Sequence, residues 1–144
     1  MSTIGQRGKL AEKKVDEVLK RFNEMYLGVA YHRYPDARSA RGSLKAQPAD
    51  YLVASAPKAY HLEVKEMAHD FRLPKDKIAQ LPLLKKFKLA GIDFGVIILH
   101  TETKLWRYVP ASHFAGPVQP SWDCSEFPTY ATAEEALRAT GWFG

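Results

Sequence analysis

The chain has 144 residues, of which 46% are hydrophobic, and a formal net charge of +5. This length and composition are typical of one globular domain with its own core. No apolar run approaches the roughly 20 residues that a membrane-spanning helix needs, and the first residues lack the apolar core of a secretory signal. A single cysteine, Cys124, excludes an intrachain disulfide and a cysteine-rich zinc site. We therefore expect a cytoplasmic protein without a membrane segment.

The positive charge is unevenly distributed along the chain. Residues 1–45 contain ten Lys and Arg against five Asp and Glu, and residues 72–104 contain seven against three. Residues 119–144 reverse this, with four acids and one Arg. Such an imbalance predicts a basic face that binds a polyanion, for which the phosphate backbone of a nucleic acid is the commonest candidate. Composition alone does not decide for nucleic acid, since many basic proteins bind none.

The first part of the chain predicts a helix, a strand and a loop. Between Ala11 and Tyr26, apolar residues recur at the 3.6-residue spacing of an amphipathic helix. Residues 28–34 (GVAYHRY) are typical of a short strand, which ends at Pro35. Residues 36–48 are basic and show no clear period. They predict a mobile basic loop.

A hairpin formed by residues 50–55 and 59–66 carries charges where apolar side chains are expected. Alternate residues of a strand share a face, so His61, Glu63 and Lys65 point the same way. The opposite face of the second strand is apolar. We assign no role to His61.

The register of this hairpin decides whether Asp50 joins the charged face. A turn centred between Ala56 and Pro57 places Asp50 opposite Glu63, whereas a slip of one residue sends Asp50 to the other face. Two facing carboxylates repel each other, so either water solvates them or a cation lies between them. Carboxylate oxygens favour a hard ion, with Mg²⁺ or Mn²⁺ the natural occupant. The alternative is a solvated edge hairpin whose charges are ordinary surface groups.

A second helix is predicted before Gly91, which has the position of a C-terminal helix glycine. Pro82 lies within this segment. It is tolerated if the regular helix begins near Leu81, and it would kink a helix that begins at Lys75.

The remaining segments predict two strands and a short helix. Residues 92–100 (IDFGVIILH) form a continuous apolar run suited to the middle of a sheet, and residues 104–110 (KLWRYVP) alternate as its neighbour. Thr132 and Glu135 have the spacing of a capping box at the start of a final helix. The order α-β-β-β-α-β-β-α predicts a mixed sheet flanked by helices. We expect a single domain over residues 1–144, with residues 115–144 as a C-terminal extension.

The hairpin and its surroundings resemble the PD-(D/E)XK nuclease superfamily. PADY (48–51) corresponds to the PD element, with Ala49 between the Pro and the Asp, and EVK (63–65) corresponds to the ExK element. More specifically, the chain resembles the RecU-type Holliday junction resolvases over roughly residues 5–114. The further segments that carry this resemblance are RGKLAE (7–12), Gln80, GIDFGVII (91–98) and RYVPA (107–111).

The resemblance implies a restriction-endonuclease-like α/β fold and a Mg²⁺-dependent DNA endonuclease in which Mn²⁺ substitutes. It implies that Glu12, Asp50 and Glu63 bind the metal, with the Val64 carbonyl as a further ligand. Lys65 would position the attacking water and stabilise the charge that develops at phosphorus, and Gln80 would support the site. Basic residues around this centre are candidate DNA contacts: Arg7, Lys9, Arg38, Arg41, Lys45, Lys75 and Lys77.

The function implied is a Holliday junction resolvase that makes symmetric nicks in a four-way DNA junction and leaves 5′-phosphate ends. Two symmetric nicks need two active sites related by a twofold axis, which a homodimer provides. Two alternatives stay open. One is another PD-(D/E)XK nuclease of the repair or restriction type, and the other is a non-catalytic DNA-binding module whose hairpin charges lie at the surface.

Overall fold

The structure is a computed structural model that describes residues 4–35, 47–68 and 70–143. Three helices and eight strands are formed within these ranges. In chain order they are α1 (Ile4–Met25), β1 (Val29–Arg33), β2 (Tyr51–Ser55), β3 (Lys58–Met67), β4 (Arg72–Pro74), α2 (Leu81–Leu89), β5 (Asp93–His100), β6 (Leu105–Pro110), β7 (Ser121–Asp123), β8 (Thr129–Tyr130) and α3 (Ala133–Arg138). Two short 3₁₀ helices, Lys75–Ile78 and Ala111–Phe114, precede α2 and follow β6.

Six of the strands form one mixed sheet in the order β1-β2-β3-β5-β6-β8. The pairing of β3 with β5 is parallel, and the other neighbours are antiparallel. The apolar strand β5 lies between β3 and β6, and seven of its eight residues are buried. Burial on both faces explains why β5 is continuously apolar rather than alternating. The predicted mixed sheet and the central position of this strand are confirmed.

Helices cover both faces of the sheet, and each face has its own apolar cluster. On one face the stripe of α1 packs against β2, β3 and the C-terminal helix α3. Leu19 and Phe22 of this stripe have no exposed area, and burying each side chain contributes about 1.5–3 kcal/mol. On the other face α2 and the 3₁₀ helices pack against β5 and β6. The predicted stripe of α1 is confirmed up to Phe22, whereas Met25, at the end of the helix, is exposed.

The register of the β2–β3 hairpin is the one that brings the two acids together. Tyr51 pairs with Leu62 and Val53 with Tyr60, so the next pair outward is Asp50 opposite Glu63. Leu62 belongs to the cluster on the α1 face. The alternation of a strand therefore turns Glu63 to the α2 face. The predicted register and the predicted charged face are both confirmed.

Helix α2 begins at a position that is compatible with Pro82. Leu81 is its first residue, and Pro82 lies in the first turn, where a missing backbone N–H costs no helical hydrogen bond. The 3₁₀ helix Lys75–Ile78 is a separate element, so no kinked helix runs from Lys75. At the other end Gly91 has φ +108°, in the region that favours glycine. The start near Leu81 and the stop at Gly91 are as predicted.

The C-terminal residues close the core on the α1 face. The Ser55 hydroxyl donates to the Trp142 carbonyl at 2.5 Å, and the Trp142 ring stacks on Tyr60 with ring centroids 4.3 Å apart. Trp142 also lies against Gly95 in β5, where an added Cβ would be 3.2 Å from the indole and 2.5 Å from the Tyr108 ring. A glycine is therefore required where these two rings cross the strand.

Arg107 of β6 ties the segment before α3 to the sheet. It is 4% exposed and donates from Nε to His100 Nε2 at 3.2 Å. Its Nη1 donates to the Cys124 carbonyl at 3.0 Å and also to the Phe127 carbonyl. These bonds satisfy a buried cation with backbone acceptors.

The sequence did not predict the small elements of this region. Strands β4 and β7 form a separate two-stranded sheet, with Leu73 opposite Trp122, and β8 adds only two residues to the edge of the main sheet. The capping box was predicted correctly at its Thr, since the Thr132 hydroxyl accepts from the Glu135 N–H at 3.2 Å. In the described part of the chain, no helix combines the length and apolar character needed to cross a membrane.

Candidate active site

Three neighbouring strands bring Tyr34, Asp50 and Glu63 into one row on the α2 face. Arg33 pairs with Tyr51 across β1 and β2, and the Tyr34 N–H donates to the Asp50 carbonyl at 2.9 Å. Tyr34 therefore lies beside Asp50, which in turn lies opposite Glu63. Tyr34 follows the last residue of β1 and Asp50 precedes the first residue of β2. The row therefore lies at one end of these two strands.

Asp50 and Glu63 form a close carboxyl pair. Asp50 Oδ2 accepts a hydrogen bond from the Val64 N–H at 2.7 Å. Glu63 is 4% exposed, and its burial, followed by its hydrogen bond with Asp50 and the charge of Asp50, raises its pKa well above the ordinary value. Glu63 therefore holds its proton to a higher pH than an isolated Glu would.

Lys65 is a cation close to this pair. Its Nζ lies 3.8 Å from Glu63 Oε2, and 26% of its side chain is exposed. Its charge lowers the pKa of Glu63 and so opposes part of the effect of burial. The sequence predicted that Glu63 and Lys65 share a face, and the structure confirms it.

Glu12 approaches the site from the first helix, where Arg33 holds it. The Arg33 guanidinium contacts Glu12 Oε2 at 2.6 Å, and the Tyr51 hydroxyl donates to the Glu12 carbonyl at 3.1 Å. The charge of Glu12 also contributes to raising the pKa of Glu63. The sequence analysis missed Arg33. The signal that finds it is the β1–β2 register, which turns Arg33 to the same face as Tyr51, toward α1.

These groups line one open cleft of about 440 Å³. It includes all five side chains predicted to be catalytic: Glu12, Asp50, Glu63, Lys65 and Gln80. Gln80 is the residue that immediately precedes α2. Further polar side chains that the sequence analysis did not assign also line the cleft: Arg33, Tyr34, Gln47 and Asp76.

The predicted DNA contacts are only partly within the described residues. Lys77 lines the cleft and is exposed. Lys75 is exposed beside a neighbouring apolar groove, and its backbone N–H donates to the Pro120 carbonyl at 3.0 Å. Arg38, Arg41 and Lys45 lie outside the described residues, as does most of the predicted basic loop 36–48, and so do the side chains of Arg7 and Lys9.

His61 is buried on the same face as the acid pair. Its ring is 1% exposed, and its Nε2 lies 3.1 Å from the Tyr34 hydroxyl. Burial lowers the pKa of this imidazole. No sequence pattern assigns His61 a role, because its partner Tyr34 precedes the predicted loop and is 27 residues away.

The donor set of the cleft fits a hard divalent cation at the acid pair. Two neighbouring carboxyl groups at an open cleft can bind a cation between them, and both supply oxygen ligands. A third acid is nearby but engaged, since Glu12 is paired with Arg33. Among residues 4–35, 47–68 and 70–143, no three His, Cys, Asp or Glu side chains are grouped so as to hold one ion together. The arrangement therefore fits a two-carboxylate site that Glu12 would join only by leaving Arg33.

Comparison with known proteins identifies the fold. No protein-family model matches the sequence, and no curated protein matches it either. Sixteen chains of solved structures match the fold. One of them is Hjc, a Holliday junction resolvase from the archaeal hyperthermophile Archaeoglobus fulgidus, with a TM-score of 0.55 and 20% sequence identity over 92% of this chain and 99% of that chain.

This likeness concerns the backbone architecture. The predicted fold class, a restriction-endonuclease-like α/β core with a mixed sheet flanked by helices, is confirmed by the six-stranded sheet and by the structural match to a resolvase. The RecU-type assignment stays a prediction.

Proposed function

We propose that this protein is a metal-dependent, structure-selective DNA endonuclease, namely a Holliday junction resolvase that acts as a homodimer. The observation that carries the proposal is the register that sets Asp50 opposite Glu63, with Lys65 on the same face, in an open cleft. The fold shared with an archaeal Holliday junction resolvase supports it. The RecU-type motifs in the sequence support the same substrate.

Asp50 and Glu63 are the proposed ligands of Mg²⁺, for which Mn²⁺ would substitute. The hydrogen bond from the Val64 N–H fixes one Asp50 oxygen at 2.7 Å and leaves the other for the ion. The Val64 carbonyl and Glu12 are the further proposed ligands. A divalent cation bound there supplies activation of water and neutralisation of charge at the phosphate.

The remaining groups have separate proposed tasks. Lys65, which is partly exposed, orients the attacking water and stabilises the negative charge that develops on the phosphate. Gln80 supports the bound water or phosphate from the start of α2. Hydrolysis by water at the phosphate would leave 5′-phosphate and 3′-hydroxyl ends.

The basic residues bind the DNA backbone rather than its bases. Lys77 lines the cleft, and the basic residues of the first helix and of the loop 36–48 are the other proposed contacts. Contacts to phosphate position the protein without reading sequence, so selectivity would come from the branched geometry. A dimer with a twofold axis would provide one active site for each of two opposed strands.

The test is cleavage of a labelled immobile four-way junction with Mg²⁺, with Ca²⁺ as the binding-only condition. We expect paired symmetric nicks from the wild type and none from Glu63→Ala, which should still bind the junction in Ca²⁺. Lys65→Ala should lose about 100- to 1000-fold in rate. Glu17→Gln, at an exposed position of α1 that does not line the cleft, is the matched control and should cleave as the wild type does.

Two outcomes would favour the alternatives. Equal cleavage of the junction and of a linear duplex of the same sequence would indicate a repair or restriction-type nuclease. Binding without cleavage in Mg²⁺ and in Mn²⁺ would indicate a non-catalytic DNA-binding module. In that case Asp50→Asn should leave affinity unchanged or raise it, because an acid near phosphate repels it.

A further inference from the structure

A tyrosine hydroxyl at the cleft is within hydrogen-bond distance of a buried histidine. Tyr34 is half-buried, lines the cleft and lies beside Asp50 in the row that continues to Glu63. Its hydroxyl oxygen is 3.1 Å from His61 Nε2, a distance that requires one of the two groups to donate to the other.

The His61 ring is fixed by its surroundings. It is 1% exposed and packs edge-to-face against Phe87 of α2, with ring centroids 4.9 Å apart. Its second nitrogen, Nδ1, is buried without a hydrogen-bond partner in the described part of the chain. The contact with Tyr34 is therefore the one polar contact of this ring among the described residues.

The position of the ring proton decides what the Tyr34 hydroxyl can do. If Nε2 carries the proton, His61 donates to the Tyr34 oxygen and the phenol hydrogen stays available for the cleft. If the proton is on Nδ1, Tyr34 must donate to Nε2, and a buried N–H is left without an acceptor. Buried N–H groups without partners are rare and costly. The Nε2-protonated ring avoids that cost and is also the more stable tautomer of a neutral imidazole in water.

We propose that His61 donates from Nε2 to Tyr34, and that the Tyr34 hydroxyl in turn donates to a non-bridging phosphate oxygen of the DNA strand bound in the cleft. Tyr34 is then a substrate contact and His61 a positioning residue. A neutral hydroxyl forms no ion pair with Asp50 or Glu63, unlike a cation such as Lys65, whose Nζ lies 3.8 Å from Glu63 Oε2. The inference rests on the proposed DNA-cleaving function.

The tautomer can be measured without any activity. Long-range ¹H–¹⁵N NMR of protein labelled at histidine distinguishes the protonated ring nitrogen from the bare one, and His61→Gln assigns the signal among the five histidines. We expect the His61 proton on Nε2. A neutral ring with its proton on Nδ1 would overturn the inference, since Tyr34 would then donate to His61 rather than to DNA.

The second test is the affinity for an immobile four-way DNA junction in Ca²⁺. We expect Tyr34→Phe, which keeps the ring and removes the hydroxyl, to raise the Kd about tenfold. His61→Phe, which keeps an aromatic ring and removes the donor, should weaken binding in the wild-type background and add no further loss in the Tyr34→Phe background, because His61 acts through that hydroxyl. Tyr31→Phe is the control. Tyr31 is likewise half-buried, but it lies in β1 and packs on the α1 face, so the Kd of this variant should equal that of the wild type.

The outcomes separate this inference from the function on which it rests. A wild-type protein that binds no DNA overturns the proposed function and the phosphate contact with it. A wild type that cleaves junctions, with Tyr34→Phe binding them as tightly, overturns the inference alone. Losses from Tyr34→Phe and His61→Phe that simply add would indicate that His61 is structural and would also overturn its positioning role.

Discussion

Replacing Glu63 with Gln should make the metal-free protein more stable at neutral pH. Glu63 is 4% exposed, and burial and the neighbouring carboxyls of Asp50 and Glu12 raise its pKa well above the ordinary 4.5, while Lys65 partly opposes them. The folded protein therefore keeps this proton to a higher pH than the unfolded chain does. Its stability falls as the pH rises from about 4.5 through the folded-state pKa. A Gln side chain has nearly the same shape and does not titrate, so the variant avoids that loss.

The size of the effect follows from one proton. A difference of one bound proton between the folded and unfolded states changes the free energy of unfolding by at most about 1.4 kcal/mol per pH unit. The difference in stability between variant and wild type should grow with that limiting slope above pH 4.5 and level off above the folded-state pKa. The Gln amide can still donate to Asp50, so the variant keeps the side-chain contact while losing the charge.

The assay is urea unfolding between pH 4 and pH 8 in EDTA, with the free energy extrapolated to water. Glu17→Gln removes an exposed carboxyl from the same protein and should follow the wild-type curve. A difference between Glu63→Gln and wild type that does not change with pH would refute the reasoning. The reasoning would also be refuted if the stability difference between Glu17→Gln and wild type rose with pH as steeply as that of Glu63→Gln.

Four further changes test other parts of the structure. Mg²⁺ at a hundredfold excess over its Kd should stabilise the wild type by about 2.7 kcal/mol and Glu63→Gln by much less in thermal unfolding; an equal shift in both would exclude Glu63 as a ligand. Gly95→Ala should cost about 1–3 kcal/mol in urea unfolding, because its Cβ would lie 2.5 Å from the Tyr108 ring; a neutral result would mean that the ring moves freely. Arg107→Met should cost about 1.5–3 kcal/mol by the same assay, since the Cys124 and Phe127 carbonyls lose their donor, and an unchanged midpoint would contradict their pairing. Thr132→Ala should cost about 1 kcal/mol through loss of the helix cap, whereas Thr132→Asp, which restores an acceptor, should recover most of it.

Local patterns predicted those features that local physics controls. The 3.6-residue period of α1 faces the core as expected, because an amphipathic helix can bury its apolar stripe in only one way. Pro82 fixed the start of α2, since a proline is compatible with the first turn and not with the interior. The turn at Ala56 and Pro57 set the hairpin register, and the register alone brought Asp50 opposite Glu63.

Contacts between distant segments needed the tertiary structure. Arg33 reaches Glu12 across 21 positions of the sequence, and Tyr34 reaches His61 across 27. Neither pair has a periodic signature, because each depends on how β1 is placed against α1 and β3. Three strands are too short for their alternation to be recognised in the sequence: β4 and β7 have three residues each, and β8 has two.

The sequence by itself determined the main helices, the central strands and the charged face of the hairpin, since each follows from spacing within a few residues. Only the tertiary structure decided that Glu63 is buried, that Glu12 pairs with Arg33 and that the Tyr34 hydroxyl contacts His61 beside the cleft. The physical reason is that burial and long-range pairing depend on which elements pack together. Sequence spacing fixes the face on which a side chain lies, and the packing of the elements fixes what that face meets.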